Sequence, residues 1–235
     1  MSVVKVNWSG GKDSTAALYM HYILGDTVKA VCYIPMFNDT IPLITKDHYN
    51  FIIDTAKTFR CLGVSVNIVH GMTYTDYVCR EISRGKNKGK IFGFPCFIPQ
   101  ACNFRNYSKL KALNSIDIGA YDYEDIGIAY DEVKRQNQLT VSKRSILVEL
   151  RLTEEDAYKI CKENNLLSPH YKIAKRDGCA LCPNGSKKVR EKWFSDYPMV
   201  IEQVKELQSY ISANRPESYP LRDKRFFIEA DGTIN

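Results

Sequence analysis

Near the N-terminus an apolar, β-branched run, Val3 to Trp8, breaks at Ser9-Gly10-Gly11 and passes straight into a segment whose apolar residues Ala17, Met20 and Leu24 recur at helical spacing. A strand that turns through two glycines directly into a helix is the opening unit of an open α/β sheet, and the remaining pattern agrees with it. Val28 to Pro35 reads as a second strand, followed by a polar turn at Asn38-Asp39-Thr40 and an amphipathic helix from Asp47 to Leu62, with Gly63 as its stop. Val64 to Val69 gives a third strand, Thr73 to Ser83 a helix, Ile116 to Ala120 a fourth strand and Asp125 to Ala129 a fifth. Strands alternating with helices argue for a parallel sheet covered on both faces.

After Leu152 the pattern changes. Thr153-Glu-Glu-Asp156 has the form of a capping box, with Asp where Glu or Gln is usual, and opens a helix running to about Asn165. A Cys-rich loop, Gly178 to Gly185, then precedes one long helical stretch from about Lys187 to Ala213. Hydrophobic residues make up 44% of the 235 and charged residues 26%, which excludes fibrous and disordered chains. There is no apolar run of about 18 residues, and the start MSVVKVNWSGGKDS lacks a signal peptide's apolar core, so a cytoplasmic protein with no membrane partner is expected. Lys and Arg exceed Asp and Glu by 33 − 27 = 6, a surplus that favours anionic ligands, nucleotides and nucleic acids alike. Eight cysteines without an export signal point to thiols, metal ligands or catalytic groups rather than a disulfide framework.

The loop Ser9-Gly10-Gly11-Lys12-Asp13-Ser14 sits at a strand's carboxyl end, where open α/β sheets bind ligands. Its two glycines let backbone amides approach a ligand, the following helix turns its positive end to the same place, Lys12 adds charge, and Ser9 and Ser14 add hydroxyl donors. These are the parts of a polyphosphate cradle. They do not make a Walker A loop, because the first glycine of that pattern is missing and Asp13 follows the lysine where Ser or Thr is required. The alternative is a glycine turn closed by a capping serine.

SGGKDS resembles the signature of the PP-loop ATP pyrophosphatases. The resemblance implies a doubly wound, Rossmann-like α/β fold of the adenine nucleotide alpha hydrolase type. It also implies a loop that grips the pyrophosphate of ATP while the α-phosphate is attacked. Within that superfamily, Asp125-Ile-Gly-Ile-Ala-Tyr-Asp-Glu-Val-Lys-Arg135, Leu166-Leu-Ser-Pro-His-Tyr171 and Arg176-Asp-Gly-Cys-Ala-Leu-Cys-Pro183 are similar to segments of the phosphoadenosine phosphosulfate (PAPS) reductase family. Ala129 stands where relatives often carry Arg, and Asp39 matches a position near the nucleotide. The resemblance does not extend to the reaction. Those reductases carry a C-terminal Cys-Gly-x-His tail, whereas this chain ends Phe226-Phe-Ile-Glu-Ala-Asp-Gly-Thr-Ile-Asn235, and no two of its cysteines are adjacent as in iron-sulfur reductases. ATP-dependent activation is therefore the expected reaction, with sulfonucleotide reduction and a non-catalytic nucleotide- and metal-binding module as alternatives.

Candidate catalytic residues are Lys12, Asp13, Glu132 and Arg135; Ser9 to Ser14 and Asp39 are the candidate nucleotide contacts. Glu132 and Arg135 follow the fifth expected strand, where a carboxylate can hold Mg²⁺ or a nucleophile and the Arg can pair phosphate; an i, i+3 surface ion pair is the alternative. Cys179-x-x-Cys182 is half of a metal site. Cys96 and Cys102 supply the other half, Cys102 with Lys109 and Lys111 resembling the family's C-x-x-x-x-K segment. Four thiolates suit zinc or an iron-sulfur cluster; Cys161 and His170 are substitutes for Cys96, and unligated thiols are the alternative. Cys32, Cys61 and Cys79 lie in apolar contexts expected to be core, and His21 and His48 read as packed or exposed helix residues. The glycine- and lysine-rich stretch Arg84 to Lys90 reads as an exposed loop, and Lys187, Lys188, Arg190 and Lys192 as a basic helix start; both are ordinary solvated features or a track for RNA or DNA phosphates. The expected division is a nucleotide-binding domain over 1–150 and a C-terminal helical, cysteine-bearing lobe over 151–235, with a soft boundary.

Overall fold

The computed structural model describes residues 1–94, 97–98, 101–182, 185–215, 227–228 and 233–234. Among the described residues the strands are, in chain order, β1 (Val3–Trp8), β2 (Thr27–Tyr33), β3 (Ser65–Val69), β4 (Phe97–Ile98), β5 (Ala101–Cys102), β6 (Tyr123–Ile126) and β7 (Lys143–Arg144). The helices are α1 (Lys12–Ile23), α2 (Lys46–Cys61), α3 (Tyr74–Cys79), α4 (Asn103–Arg105), α5 (Lys111–Ser115), α6 (Val133–Gln136), α7 (Ile146–Glu149), α8 (Glu154–Glu163), α9 (Lys187–Asp196) and α10 (Val200–Asn214). They form two compact units that interleave along the chain. Unit 1 comprises Met1–Ile34, Asp47–Val69 and Ala112–Asp177, and unit 2 comprises Pro35–Lys46, His70–Lys111 and Gly178–Asn235, so that residue 150 falls inside unit 1.

Unit 1 is an α/β unit built on a five-stranded sheet in the order β3-β2-β1-β6-β7, every pair parallel. On one face Val4 and Val6 are fully buried, and Trp8 donates its indole N–H to Thr15 of α1 at 2.9 Å. On the other, Lys5 is buried yet satisfied, with Glu124 at 3.0 Å and the Leu113 carbonyl at 3.2 Å. Val31 and Tyr33 of that face pack on Ala112 and Leu113, which gives the sheet cover on both sides.

Two strands differ from expectation. Ile116 to Ala120 forms no strand: its Ile118 and Ala120 carbonyls accept from Lys29 Nζ at 2.8 Å each, and Ile116 and Ile118 pack beside Val31 and Tyr33. The apolar spacing there serves packing on the sheet rather than pairing within it. The neighbour of β1 is instead β6, two residues ahead of the expected Asp125 start, and the short β7 beyond it carries no apolar signal of its own. The capping box is as expected: Thr153 Oγ1 accepts from Asp156 N at 3.2 Å while Thr153 N donates to the Asp156 carboxylate at 3.0 Å.

In unit 2, α3, α9 and α10 enclose an aromatic core that includes Phe37, Tyr74, Tyr77, Phe104, Trp193 and Phe194. Trp193 Nε1 donates to the Pro42 carbonyl at 2.8 Å. The single long helix expected over 187–213 is two, because Pro198 lacks the N–H a continuing helix needs and holds Tyr197 outside the helical region, at φ −134° and ψ 70°. Similarly α3 stops at Cys79, where Arg80 turns extended into an antiparallel bridge between Glu81 and Ile91. Among the described residues no helix is long and apolar enough to cross a membrane.

Asp125, with no exposed surface, accepts from His21 Nε2 at 3.0 Å and from the Ile146 amide at 2.7 Å, while His21 Nδ1 bonds Asp26 at 2.9 Å. Burial alone would lower the imidazole's proton affinity, but the bonds to Asp125 and Asp26 outweigh it and raise the pKa above the usual 6.5. A group whose folded pKa is raised contributes its full stability below the unfolded value and loses it as pH rises through the folded one. Urea unfolding between pH 6 and 9 is therefore expected to show His21 stabilisation fading with rising pH, and His21→Gln is expected to be flatter over that range; equal slopes would refute the imidazolium pairing.

Candidate functional site

In unit 1 the chain leaves β1 for β2 on one side and later returns to β6 on the other, so the loop after β1 stands at the point where the strand order reverses. The loop is Ser9 to Gly11, and α1 begins at Lys12 with Gly11 as an extended N-cap lacking a side-chain bond. A helix leaves its first N–H groups without intrahelical partners, and here they border the reversal point. One of them, Lys12 N, donates to Tyr171 Oη at 2.8 Å. The segment after β6 comes so close that a Cβ on Gly127 would lie 2.6 Å from the Ser14 nitrogen; only glycine permits that approach.

The loop is tied internally. Ser14 Oγ donates to the Gly11 carbonyl at 3.1 Å and accepts from Ser9 N at 3.1 Å, so this hydroxyl, expected to serve a phosphate, closes the turn. Gly10 holds φ +76°, and a Cβ there would meet Ile52 at 2.6 Å and His48 at 3.1 Å. His48 is buried beneath it, bonded to the Ser9 backbone and, through Nδ1, to Ser168 Oγ at 2.7 Å. Burial pushes its pKa down to about 4, against the pull of Asp177, so the ring is neutral and its tautomer fixed by these two bonds.

Asp177 lies against the loop: Ser9 Oγ donates to its carboxylate at 3.1 Å, and a Cβ on Gly11 would come within 2.7 Å of the same oxygen. Thus an internal anion occupies one side of the cradle. Lys12 Nζ pairs with Asp13 at 2.6 Å and Glu154 at 3.5 Å. Asp13, Glu132 and Glu154 are the one group of three metal-donor side chains, among the described residues, whose ligand atoms all lie within 4.8 Å of one another. Burial, and then the two neighbouring carboxylates, raise the Asp13 pKa despite its bond to Lys12. Arg135 Nη1 donates to both Glu132 oxygens, at 2.7 and 2.6 Å, the i, i+3 pair anticipated as the alternative to a phosphate contact.

Sequence reasoning assigned no role to His48, Ser168, Tyr171, Asp177 or Glu154. Ser168, Tyr171 and Asp177 fall in segments whose resemblance was visible, LLSPHY and RDG, but resemblance named the segments and not the contacts. Cys161 and His170, considered as fourth metal ligands, both belong to unit 1. The Cys161 thiol donates to the Lys12 carbonyl at 3.2 Å and is pushed up to about 12 by burial, and His170 Nε2 bonds the Arg176 carbonyl at 2.9 Å.

Cys102, Cys179 and Cys182 all lie in unit 2; Cys96 lies outside the described residues. Cys182 N donates to the Cys179 carbonyl at 3.0 Å, a tight turn continued by Gly185 N to the Cys182 carbonyl at 2.9 Å. Tyr74 has its hydroxyl wholly buried without a hydrogen-bond partner. Burial raises its pKa, and the thiols of Cys179, Cys102 and Cys182, which come from two separate segments, add to the rise. The three sulfurs are not gathered within 4.8 Å of one another. Asp39 is exposed in unit 2, in a turn that Asn38 Oδ1 closes by accepting from the Thr40 and Ile41 amides. Of the remaining cysteines, Cys32 is core, Cys79 is half-buried, and Cys61 is exposed at the end of α2, contrary to expectation. Within the basic start of α9, Arg190 is buried and reaches the Cys182 carbonyl, and Lys192 pairs with Asp196.

No protein-family model matches the chain, and no curated protein is similar to it in sequence. Among solved structures it is similar to a U34-tRNA thiolase, NcsA from Methanococcus maripaludis with its [4Fe-4S] cluster, at 12% identity and a TM-score of 0.41, over 91% of this chain and 70% of that one. It is also similar to a 4-thiouridine synthetase in complex with RNA and ATP, at 14% identity and a TM-score of 0.41, over 90% of this chain; it spans only 54% of that protein.

Gly10→Ala combines a left-handed backbone with a clash against Ile52, and is expected to cost about 1–3 kcal/mol in chemical unfolding. Gly63→Ala, at φ +86° with open space, should cost less than Gly10→Ala, isolating the clash; equal losses would show that Ile52 simply moves aside.

Proposed function

We propose that the chain binds ATP on the Ser9–Ser14 loop and cleaves it between the α and β phosphates to activate an acceptor, in the service of sulfur insertion or nucleic-acid modification. What carries this reading is the loop's construction: a turn with its shape set from within, at the reversal point of a parallel sheet, opening onto a helix N-terminus beside Lys12. In the reaction an acceptor oxygen attacks the α-phosphorus, the bond to the bridging oxygen breaks and pyrophosphate leaves; the adenylyl group now on the acceptor departs as AMP when water or a sulfur nucleophile displaces it. Lys12 faces the charge that accumulates on the departing group. Asp177 gives up its place on Ser9 to the incoming phosphates.

Asp13, Glu132 and Glu154 suit Mg²⁺, because burial and the two neighbouring carboxylates raise the proton affinity of Asp13, and a cation at the cluster relieves that repulsion. Mg²⁺ held there would neutralise charge on the phosphate oxygens. Cys102, Cys179 and Cys182, with Cys96 as the fourth candidate, suit a metal centre: the Tyr74 hydroxyl, buried without a hydrogen-bond partner, feels the charge of all three thiols. Four thiolates suit zinc or an iron-sulfur cluster, and the resemblance to a family of sulfur-handling enzymes favours the cluster. Such a cluster supplies sulfur or electron handling.

With labelled ATP, Mg²⁺ and bulk cellular RNA as acceptor, the expected products are AMP and pyrophosphate, and Lys12→Met should lower turnover about a hundredfold or more with little change in unfolding. ADP and orthophosphate as products would overturn the reading. Protein purified without oxygen should contain iron and sulfide, lost in the Cys179→Ser/Cys182→Ser pair. Metal-free wild-type protein with undiminished activity and unchanged melting would remove the metal centre from the account, and zinc without sulfide would replace the cluster by a structural ion.

A further inference from the structure

In unit 2 the stretch read from sequence as an exposed loop is a pinned hairpin. Phe92 N donates to the Arg80 carbonyl at 3.0 Å, Ile82 N to the Lys90 carbonyl at 2.7 Å and Gly89 N to the Ile82 carbonyl at 3.0 Å, while Ile91 N anchors the hairpin to the end of α10 through the Asn214 carbonyl at 3.2 Å. From Arg80 to Phe92 it carries Arg80, Arg84, Lys86, Lys88 and Lys90 against one carboxylate, Glu81. The last four cations alternate with Gly85, Asn87 and Gly89, all four are exposed, and none has a carboxylate partner among the described residues.

At the base of the hairpin the Arg80 guanidinium lies between two rings, 3.7 Å from the centroid of Tyr107 and 4.2 Å from that of Phe92. Lys111 Nζ stands 5.1 Å from the Tyr107 centroid, so cation and ring alternate in one stack that includes the partly exposed ring of Phe92. Tyr107 belongs to a π-helical turn, Asn106–Leu110, directly before Lys111. A flat guanidinium held between rings, next to a row of unpaired cations, matches what an unpaired nucleotide strand offers: π-faces to stack and phosphates to pair. An acidic protein or an anionic membrane would use the cations but not the stack.

We infer that the Arg80–Phe92 hairpin is the nucleic-acid docking surface of this protein, taking an unpaired strand with its phosphates along Arg84, Lys86, Lys88 and Lys90 and a base against Phe92. This rests on the reading that the acceptor is a nucleic acid and names the surface that holds it. Because binding needs neither ATP nor the cysteines, its test is separate from the test of ATP cleavage.

Fluorescence anisotropy without ATP, on labelled single-stranded RNA, single-stranded DNA and duplex DNA of one length, with phosphatidylserine vesicles as a further arm, decides the matter. Wild type is expected to bind single strands more tightly than duplex, in a salt-dependent way. Lys86→Ala/Lys88→Ala, exposed and without ion pairs, should weaken strand binding about tenfold or more and reduce the salt slope by about two, one for each phosphate that no longer meets a lysine. Phe92→Leu should weaken single-strand binding severalfold, leave duplex binding unchanged and leave the salt slope intact. A preference for RNA over DNA would identify RNA as the natural strand; equal binding would leave a general single-strand surface. Wild-type affinity retained by Lys86→Ala/Lys88→Ala, equal weakening on strand and duplex in Phe92→Leu, or vesicle binding as tight as strand binding would each overturn the inference.

Discussion

The carboxylate of Asp125 holds unit 1 together at its most consequential point. Shut away from water, it needs donors, and its Oδ2 takes two, from α1 through His21 and from the start of α7 through the Ile146 amide, while Oδ1 has no partner among the described residues. Since Asp125 sits on β6, the strand beside β1, this three-way clasp sets how α1 lies over the pair of strands between which the loop opens. The close approach of Gly127 to Ser14 follows from the same arrangement, and no larger residue could stand there. Asp26, bonded to the other nitrogen of His21, extends the clasp to the turn before β2.

Within that frame the loop has its shape before any ligand arrives. Ser14 ties it to itself, His48 and Ser168 support it from below, and Tyr171 meets the first helical amide. A preshaped cradle loses little conformational freedom on binding, which leaves more of the contact energy for affinity. The seat of Asp177 works the other way, since an anionic ligand must displace a carboxylate already bonded to Ser9.

Much of this was legible in the sequence, for identifiable reasons. Val3–Trp8 is an apolar, β-branched run that breaks at Ser9-Gly10-Gly11, so the first strand and loop could be read directly; Thr153 with Asp156 declared a helix start by local chemistry alone. What failed was anything set by distant contacts. Ile116 to Ala120 carries a strand-like pattern, but the Ile118 and Ala120 carbonyls go to Lys29, a residue about ninety positions earlier, and β7 exists only because β6 offers it an edge. The same holds at the site. Lys12, Asp13 and Glu132 were readable from motif position, whereas Glu154, which the fold brings to Lys12 and Asp13, opens a helix whose sequence looks like ordinary capping. His48 had the bland reading of a helix residue because nothing local shows that Gly10 turns above it.

The interleaving of the two units governs how this chain can come into being. Unit 1 draws on residues 1–34, 47–69 and 112–177, and its central strand pairs with β6 about 120 residues downstream. Emerging from a ribosome, β1 and β2 are therefore made long before β6, the strand on the far side of the loop after β1. The segment carrying Ser168, Tyr171 and Asp177 comes later still. Until then the central strand of the sheet, with Val4, Val6 and Trp8, has an open edge, the circumstance in which nascent chains recruit chaperones or one another. The loop after β1 is thus among the last parts of unit 1 to be completed, since its supports at Ser168 and Tyr171 are made more than 150 residues after it.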